Sequence, residues 1–391
     1  MKILYLIDPV SNAVDNSFQR EVVMRLARST SLFAETFVLD TEQTGRKAAA
    51  AIMQKQEFDL YFTYNRTGTD IKVANAKGEE LNLMSTIQRP HACWLTEHPL
   101  CWYENYFTSQ KNRHYILPRT SHATFLSGMG LTGEVSEQLF AADPHPLQKS
   151  HKDRKYDICI AAQWRGPAAA NEFWTRADES ARVFFENVLV AQQADPNKDT
   201  YIAYLAVAQA MGVDISDRLR HAQYMRGLYW HARKSERISL VQDIVSSGLD
   251  VAVIGGDAWK SVLADSPAVT YFPECSHSDI VDIYADSRAI VNLNAANGAC
   301  ERAFDCAAVG AMLITEYSPA MEQLFANHDA AVFYHAAYKQ ESIQLIVDLI
   351  KSGNSELVGA NALERLTAHH TWAHRTDFMS DEVFTRVATT G

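Results

Sequence analysis

The sequence predicts an α/β fold: two doubly wound, Rossmann-like domains facing a central cleft, with a helical insert in the second. Three observations predict it. Short apolar runs alternate with stretches of helical spacing, the pattern of parallel strands joined by crossover helices. The alternation restarts near residue 156, after a polar, proline-containing link, "DPHPLQKSHKDRK", at 143–155. The chain has 391 residues, more than one ordinary core accommodates.

The first half opens with "KILYLID", read as a strand. In "NSFQREVVMRLARS", Phe18, Val22, Val23 and Leu26 fall on one helical face, with Asn16 or Ser17 as the expected N-cap. "FAETFVLDT" is a second strand and "GRKAAAAIMQKQ" a second helix. "FDLYFTYN", "HACWLTEHP" and "HYILPR" follow as short apolar runs. The second half begins with the strand "YDICIAAQ", then about sixty residues of helical pattern, roughly 168–235. Alternation resumes at "LDVAVIGGD" and continues through "VTYFPE", "RAIVNLN", "AMLITEY" and "AAVFYHA". Helical stretches separate these runs, among them "SHSDIVDIYADS", "PAMEQLF" and "QESIQLIVDLIKSG". The domains are drawn at 1–150 and 151–375. Residues 376–391 form a terminal helix expected to cross back to the first domain.

Composition narrows the function classes. A 47% hydrophobic and 21% charged chain is globular. Lys plus Arg is 36 and Asp plus Glu is 47, a net charge of −11, which argues against nucleic-acid binding through bulk charge. No apolar run is long enough to span a membrane. "MKILYLIDPV" is too short, and too soon broken by Asp8 and Pro9, for a secretory signal. The six cysteines form no CxxC pair and several sit in apolar surroundings, so a cytoplasmic, disulfide-free protein is expected.

The stretch with most chemistry is "NGACERAFDCAAVGAMLITEY", residues 297–317. A strand, "VNLN", precedes it; Asn297 and Gly298 fall in the loop; "ERAFDCAAVG" is a short helix. A helix N-terminus attracts phosphate through its free N–H groups and partial positive charge. Arg302 adds a forked cation suited to a diphosphate. Asp305, one turn on, can accept from vicinal ribose hydroxyls. The alternative is ordinary: an acidic helix start and an Arg–Asp helix pair need no ligand.

Residues 249–378 resemble the donor-binding half of GT-B glycosyltransferases, and are most similar to the spore-maturation-protein type. That family runs in the order "vxiyGxxW", "yxGxvsxxelxxiYxxsxixlN", "RxFexxAxGxxllTdy", "elF" and "HtyexRaxxl". This chain has "VAVIGGDAWK", "TYFPECSHSDIVDIYADSRAIVNLN", "ERAFDCAAVGAMLITEY", "MEQLF" and "HHTWAHR". The first half matches more loosely, through "FDLYFTYN" and "HACWLTEHP". Asp305 stands where the family usually has Glu, and Pro273 and Glu274 where "G-P" is common. The resemblance implies a nucleotide-sugar donor on the second domain and an acceptor, glycan or protein, on the first. It also implies no metal and no cofactor beyond the donor itself. It carries over Gly255 and Gly256 in the first loop, Arg302 at the phosphates, Asp305 at the ribose, and Asn294 and Asn297 at the sugar–phosphate end.

For an acceptor base the candidates are Glu97 and His98 in "WLTEHP", then Asp15 and Asp8 about the first strand-to-helix loop. Each has a structural alternative: a turn before Pro99 for His98, a solvated strand end for Glu97. Arg165, in "QWRG", could meet a phosphate or be a solvated loop residue. His277 is read as capping a helix that begins at Ser278. His370 and His374, four apart, lack a third metal ligand and are read as helical surface. "CWYENYF" at 101–107 suits sugar stacking or core packing. The insert at 168–235 is a candidate for acceptor choice or for homo-oligomer contacts. Two other functions stay open: a non-catalytic sugar- or nucleotide-binding scaffold, and a nucleotide-sugar epimerase of the same shape.

Overall fold

The computed structural model describes residues 1–385 except 9–12, 66, 69–70, 76, 102–111, 132, 163–173, 175–176, 196–197, 256–257, 264–265, 294–299, 326–328 and 335–337. Within helices, the side chains of 13–17, 193, 233, 235–236 and 319–320 are likewise outside the described set. The chain divides into two compact units, Met1–Phe140 with Thr371–Gly391, and Ala141–His370.

The first unit holds a six-stranded sheet in the order β2-β1-β3-β6-β7-β8. These strands are β1 (Lys2–Ile7), β2 (Glu35–Asp40), β3 (Leu60–Tyr64), β6 (His91–Trp94), β7 (Arg113–Leu117) and β8 (Glu134–Glu137). All pair in parallel. A small antiparallel pair, β4 (Lys72–Ala74) and β5 (Glu80–Asn82), branches off. Its helices are α1 (Ala13–Thr30), α2 (Thr41–Thr44), α3 (Arg46–Gln54), α4 (Leu83–Thr86) and α5 (His122–Gly128). Strand β3 is buried along its whole length, as a parallel strand covered on both faces must be. Ala49 and Met53 of α3 and Leu83 and Met84 of α4 pack with Leu4, Leu6 and Tyr61 in one core.

The second unit repeats the plan in the order β11-β10-β9-β12-β13-β14, again all parallel. The strands are β9 (Tyr156–Ala161), β10 (Val251–Ile254), β11 (Val269–Phe272), β12 (Ser287–Asn292), β13 (Met312–Glu316) and β14 (Val332–Tyr334). Among the described residues three helices separate β9 from β10: α6 (Glu179–Ala194), α7 (Thr200–Met211) and α8 (Arg218–Ser246). The remaining helices are α9 (His277–Ala285), α10 (Glu301–Ala308), α11 (Pro319–Leu324), α12 (Lys339–Ser352) and α13 (Ser355–His369). Leu240, Val241 and Ile244 of α8 and Ile346 and Ile350 of α12 close over Ile158, Val251, Val253 and Ile314 of the sheet.

Several local expectations are corrected. Helix α1 starts at Ala13, so Asn16 and Ser17 lie inside it rather than capping it. Helix α8 does not stop at 235; its C-terminal third is also the crossover that packs on β10. The polar segment 143–155 is bound tightly to the second unit through Gln148, His151 and Arg154. His370 and His374 do not share one helix. His370 closes α13, while Thr371 and His374 form a capping box that starts α14 (Trp372–Phe378), which runs on into a wider turn over Met379–Phe384. Within the first unit Trp372 meets Trp94 and Phe140 edge-on, at 6.2 and 5.1 Å between ring centroids. Arg375 donates to the carbonyls of Leu139 and Phe140, and burial lowers its pKa to about 10. Among the described residues no helix is long and apolar enough to cross a membrane.

Candidate functional site

Strand order locates the site. In the second sheet the order reverses between β9 and β12, and in such sheets ligands bind beyond the strands' carboxyl ends at that point. Helix α10 begins just beyond β12. Ala303, Phe304, Ala307 and Ala308 are buried against the sheet, which explains the small residues of this segment. Gly310 turns the chain with φ +63°, where a side chain would be strained. Cys300 is the N-cap residue, and its side chain makes no capping hydrogen bond. Its thiol instead donates to Asn292 Oδ1 at 2.9 Å. Cys300 thus leaves the first-turn N–H groups of α10 without its own side chain as an acceptor.

Arg302 is half-buried at that start. Its Nη1 lies 3.4 Å from Asn292 Oδ1, and Tyr284 of α9 hydrogen-bonds to its guanidinium. Burial pushes the Tyr284 hydroxyl well above the usual phenol range, so it stays neutral beside the cation. Asn292, fully buried at the end of β12, donates onward to Thr315 of β13 at 3.1 Å. Among the described residues the guanidinium is hydrogen-bonded by these two neutral groups, and the Glu301 charge beside it favours the cation.

Asp305 is 6% exposed, and its Oδ2 accepts from His277 Nε2 at 2.9 Å. This corrects the capping reading of His277. Ser276 is the N-cap of α9, in a reciprocal capping box with Asp279, and His277 is the first helical residue with its ring turned to α10. The sequence carried no signal for that pair, because its members lie 28 residues apart on different helices.

Gly255 follows β10 with φ +142°. A Cβ there would sit 2.6 Å from the Ala162 carbonyl, which already accepts from Trp259 Nε1 at 2.6 Å. A glycine is required for this close approach of two strand ends. Gly256, Asn294, Asn297 and Arg165 lie outside the described residues.

The far end of α10 is clamped by residues that sequence reasoning assigned to a link. Arg154 donates to the carbonyls of Val309 (2.7 Å), Gly310 (3.1 Å) and Ser287 (2.6 Å). Gln148 Nε2 reaches Ala308 O at 2.9 Å. His151 donates from Nε2 to Gly310 O at 3.2 Å, while its Nδ1 accepts from the Ser355 hydroxyl at 3.0 Å. Burial, and then the Arg154 charge, lower the His151 pKa to about 4, so the ring is neutral. Side chains thus take the carbonyls left over at the helix C-terminus.

The first unit answers differently. Asp8 ends β1, buried, with Oδ1 accepting from Thr41 (2.6 Å) and from Arg46 Nε (3.0 Å). Both groups occupy the carboxylate and leave it poorly placed as a base. Asp15 lies in α1, and its side chain is outside the described residues. His98 is 1% exposed, its Nδ1 accepts from Leu100 N–H at 3.0 Å, and its ring lies 4.3 Å from that of His122. Glu97 is half-buried. After Cys101, which is buried, the aromatic stretch to 107 is outside the described residues. His370 stacks edge-on against Phe304 at 5.7 Å, and His374 Nδ1 serves the Thr371 cap.

Comparison with known proteins bears on the fold and on part of the second unit. Residues 234–381 match the family described as Glycosyl transferase-like. No curated protein matches the chain as a relative. Among solved structures, sucrose-phosphate synthase from Thermosynechococcus elongatus superposes with a TM-score of 0.58 at 8% identity, covering 100% of each chain. A glycosyltransferase from Rickettsia africae gives 0.53 at 8% identity, over 100% of this chain and 99% of that one. Anabaena HepE in complex with UDP-glucose gives 0.55 at 9%, over 98% and 100%. At such identities the likeness shows the fold, which is GT-B: two parallel, six-stranded Rossmann-like sheets with helices. Residues 234–381 thus carry a glycosyl transferase-like domain, on a chain whose fold is GT-B.

Proposed function

We propose that this protein moves a sugar, a hexose, from a UDP-sugar donor to an acceptor hydroxyl on a glycan or protein, without a metal ion. The observation that carries the reading is the start of α10 at the switch point of the second sheet. A helix N-terminus whose N-cap side chain makes no capping bond, an Arg302 whose hydrogen-bond partners among the described residues are neutral, and the buried Asp305 lie within one turn of one another, inside the glycosyl transferase-like segment. The donor UDP is favoured because HepE, of the same fold, was solved with UDP-glucose. The motif order supports a spore-maturation-protein type within that class.

In this reading Arg302 and the helix N-terminus take the diphosphate and stabilise the charge that develops as it leaves. Asp305 accepts from the ribose, and Gly255 and Gly256 let the first loop approach the nucleotide. Asn294, Asn297 and Arg165 line the sugar–phosphate end. The domain at 1–150 receives the acceptor, and Glu97, rather than the enclosed His98, removes its proton; Asp15 is the reserve. All six cysteines are free, which supports a cytoplasmic setting.

The test incubates the chain with a panel of nucleotide sugars, in excess chelator, and follows thermal stability, nucleoside diphosphate release and sugar transfer. A ligand at 100 times its Kd stabilises by about 2.7 kcal/mol, a measurable shift. UDP-sugar stabilisation with UDP release is expected. Binding without turnover would make the chain a scaffold, and a free sugar isomer would make it an epimerase. Turnover that needs Mn²⁺ would overturn the metal-free mechanism.

A further inference from the structure

We infer that His277 is a positioning residue of the donor site, holding Asp305 so that a single carboxylate oxygen is left to read one ribose hydroxyl. The inference rests on the nucleotide-binding reading above. Its observations are separate from the motif that suggested that reading, since His277 lies on α9, outside α10. The His277 ring donates to Asp305 Oδ2 at 2.9 Å. Among the described residues Asp305 Oδ1 has no hydrogen-bond partner, although the residue is 6% exposed. Oδ1 is therefore the carboxylate oxygen left to accept from a ligand hydroxyl.

The ring is well placed to do this. The Ser276–Asp279 capping box fixes the first turn of α9, with Asp279 N–H donating to Ser276 Oγ and Ser276 N–H donating to Asp279 Oδ2. His277 therefore starts from a rigid backbone. A Glu at 305, the residue of the resembling family, could span both hydroxyls of a ribose. Asp is one methylene shorter and has one oxygen engaged, so it reads one hydroxyl from a fixed position. The consequence is a donor site that discriminates against one deoxyribose isomer and not the other.

Calorimetry with UDP, 2′-deoxy-UDP and 3′-deoxy-UDP, on wild type, His277→Ala, His277→Gln, Asp305→Ala and the His277→Ala/Asp305→Ala double variant, tests this. His277→Ala should weaken UDP about 5–30-fold, the loss of one charge-assisted hydrogen bond in a buried site. One deoxy-UDP should bind wild type and His277→Ala equally. His277→Gln, whose amide N–H can reach the same oxygen, should recover most of the loss. The double variant should bind no worse than Asp305→Ala, because the two residues act as one unit. An unchanged UDP affinity in His277→Ala would overturn the inference. So would a uniform loss across UDP and both deoxy analogues, which marks a fold defect. Failure of wild type to bind any nucleoside diphosphate would instead remove the proposed function, and this inference with it.

Discussion

The first sheet turns back between β1 and β3, and the second between β9 and β12; both are six-stranded and wholly parallel. At the first turning point the charged groups satisfy one another. Asp8 is taken by Thr41 and Arg46, and Asn65, at φ +50°, is pinned by Thr96, whose N–H donates to its side-chain oxygen at 2.9 Å. At the second, among the described residues, Arg302 is hydrogen-bonded by neutral partners, Asp305 Oδ1 has no hydrogen-bond partner, and the Cys300 side chain does not cap α10. The same architecture therefore differs, among the described residues, in how far the polar groups at each turning point are already paired. Binding capacity lies in which partners the residues at the strand ends already have, and the fold sets only where to look.

The comparison breaks most sharply if the first unit does no chemistry. Glu97→Gln should lower turnover about 10²–10⁴-fold with UDP affinity unchanged, the effect of losing a general base. Steady-state turnover at saturating acceptor, beside calorimetric UDP affinity, checks it. Wild-type turnover in the variant would move the base elsewhere or remove the need for one.

Acid should act on the second unit through His151. Its folded pKa is lowered to about 4 from 6.5, so the neutral ring's contribution is fully present above pH 6.5 and is lost as pH falls toward 4. A shift of that size corresponds to a loss on the order of 3 kcal/mol at the acid end. Denaturant midpoints from pH 7 to pH 4 should fall more steeply for wild type than for His151→Gln. Parallel profiles would mean that the ring protonates without disturbing the clamp on α10.

Arg302→Ala should weaken UDP by about 10–100-fold, the worth of charge-assisted hydrogen bonds to phosphate, in a variant that still folds. Unchanged affinity in a folded variant would remove Arg302 from the phosphate role and leave the helix start alone to bind.

How much of this could be read beforehand follows from the range of the interactions. Strands such as "KILYLI" and "AMLIT" are apolar because both faces are covered, so they stand out as runs. The small residues of α10 are legible for a similar reason: Ala303, Ala307 and Ala308 record how close the helix lies to its sheet. The partners of those residues are not legible. Arg154 reaches Ser287 across 133 positions, and His277 reaches Asp305 across 28. Nothing local marks an arginine in a polar segment as the clamp of a distant helix, or a histidine beside a capping serine as a carboxylate's anchor. The end of α8 is not legible because the helical pattern runs on past 235, where Leu240, Val241 and Ile244 join the core of the second sheet.

The smallest effect concerns Asp8, and it decides whether the first turning point is as closed as its contacts indicate. Asp8 is 3% exposed at its side chain, whereas its partner Arg46 is 50% exposed. Replacing Asp8 with Asn keeps the shape and the Thr41 contact and removes the charge. Arg46, already half in water, can resolvate, so the cost should be only about 1 kcal/mol. If the carboxylate is purely internal to the unit, UDP affinity and turnover should both stay within about twofold of wild type, the spread ordinary for a substitution remote from a site. Thermal melts give the first quantity, calorimetry and steady-state rates the others. A turnover loss comparable to that of Glu97→Gln, with little loss of stability, would reverse the comparison: Asp8 would then release Arg46 and Thr41 when acceptor binds, and the first turning point would be a site held shut by its own residues.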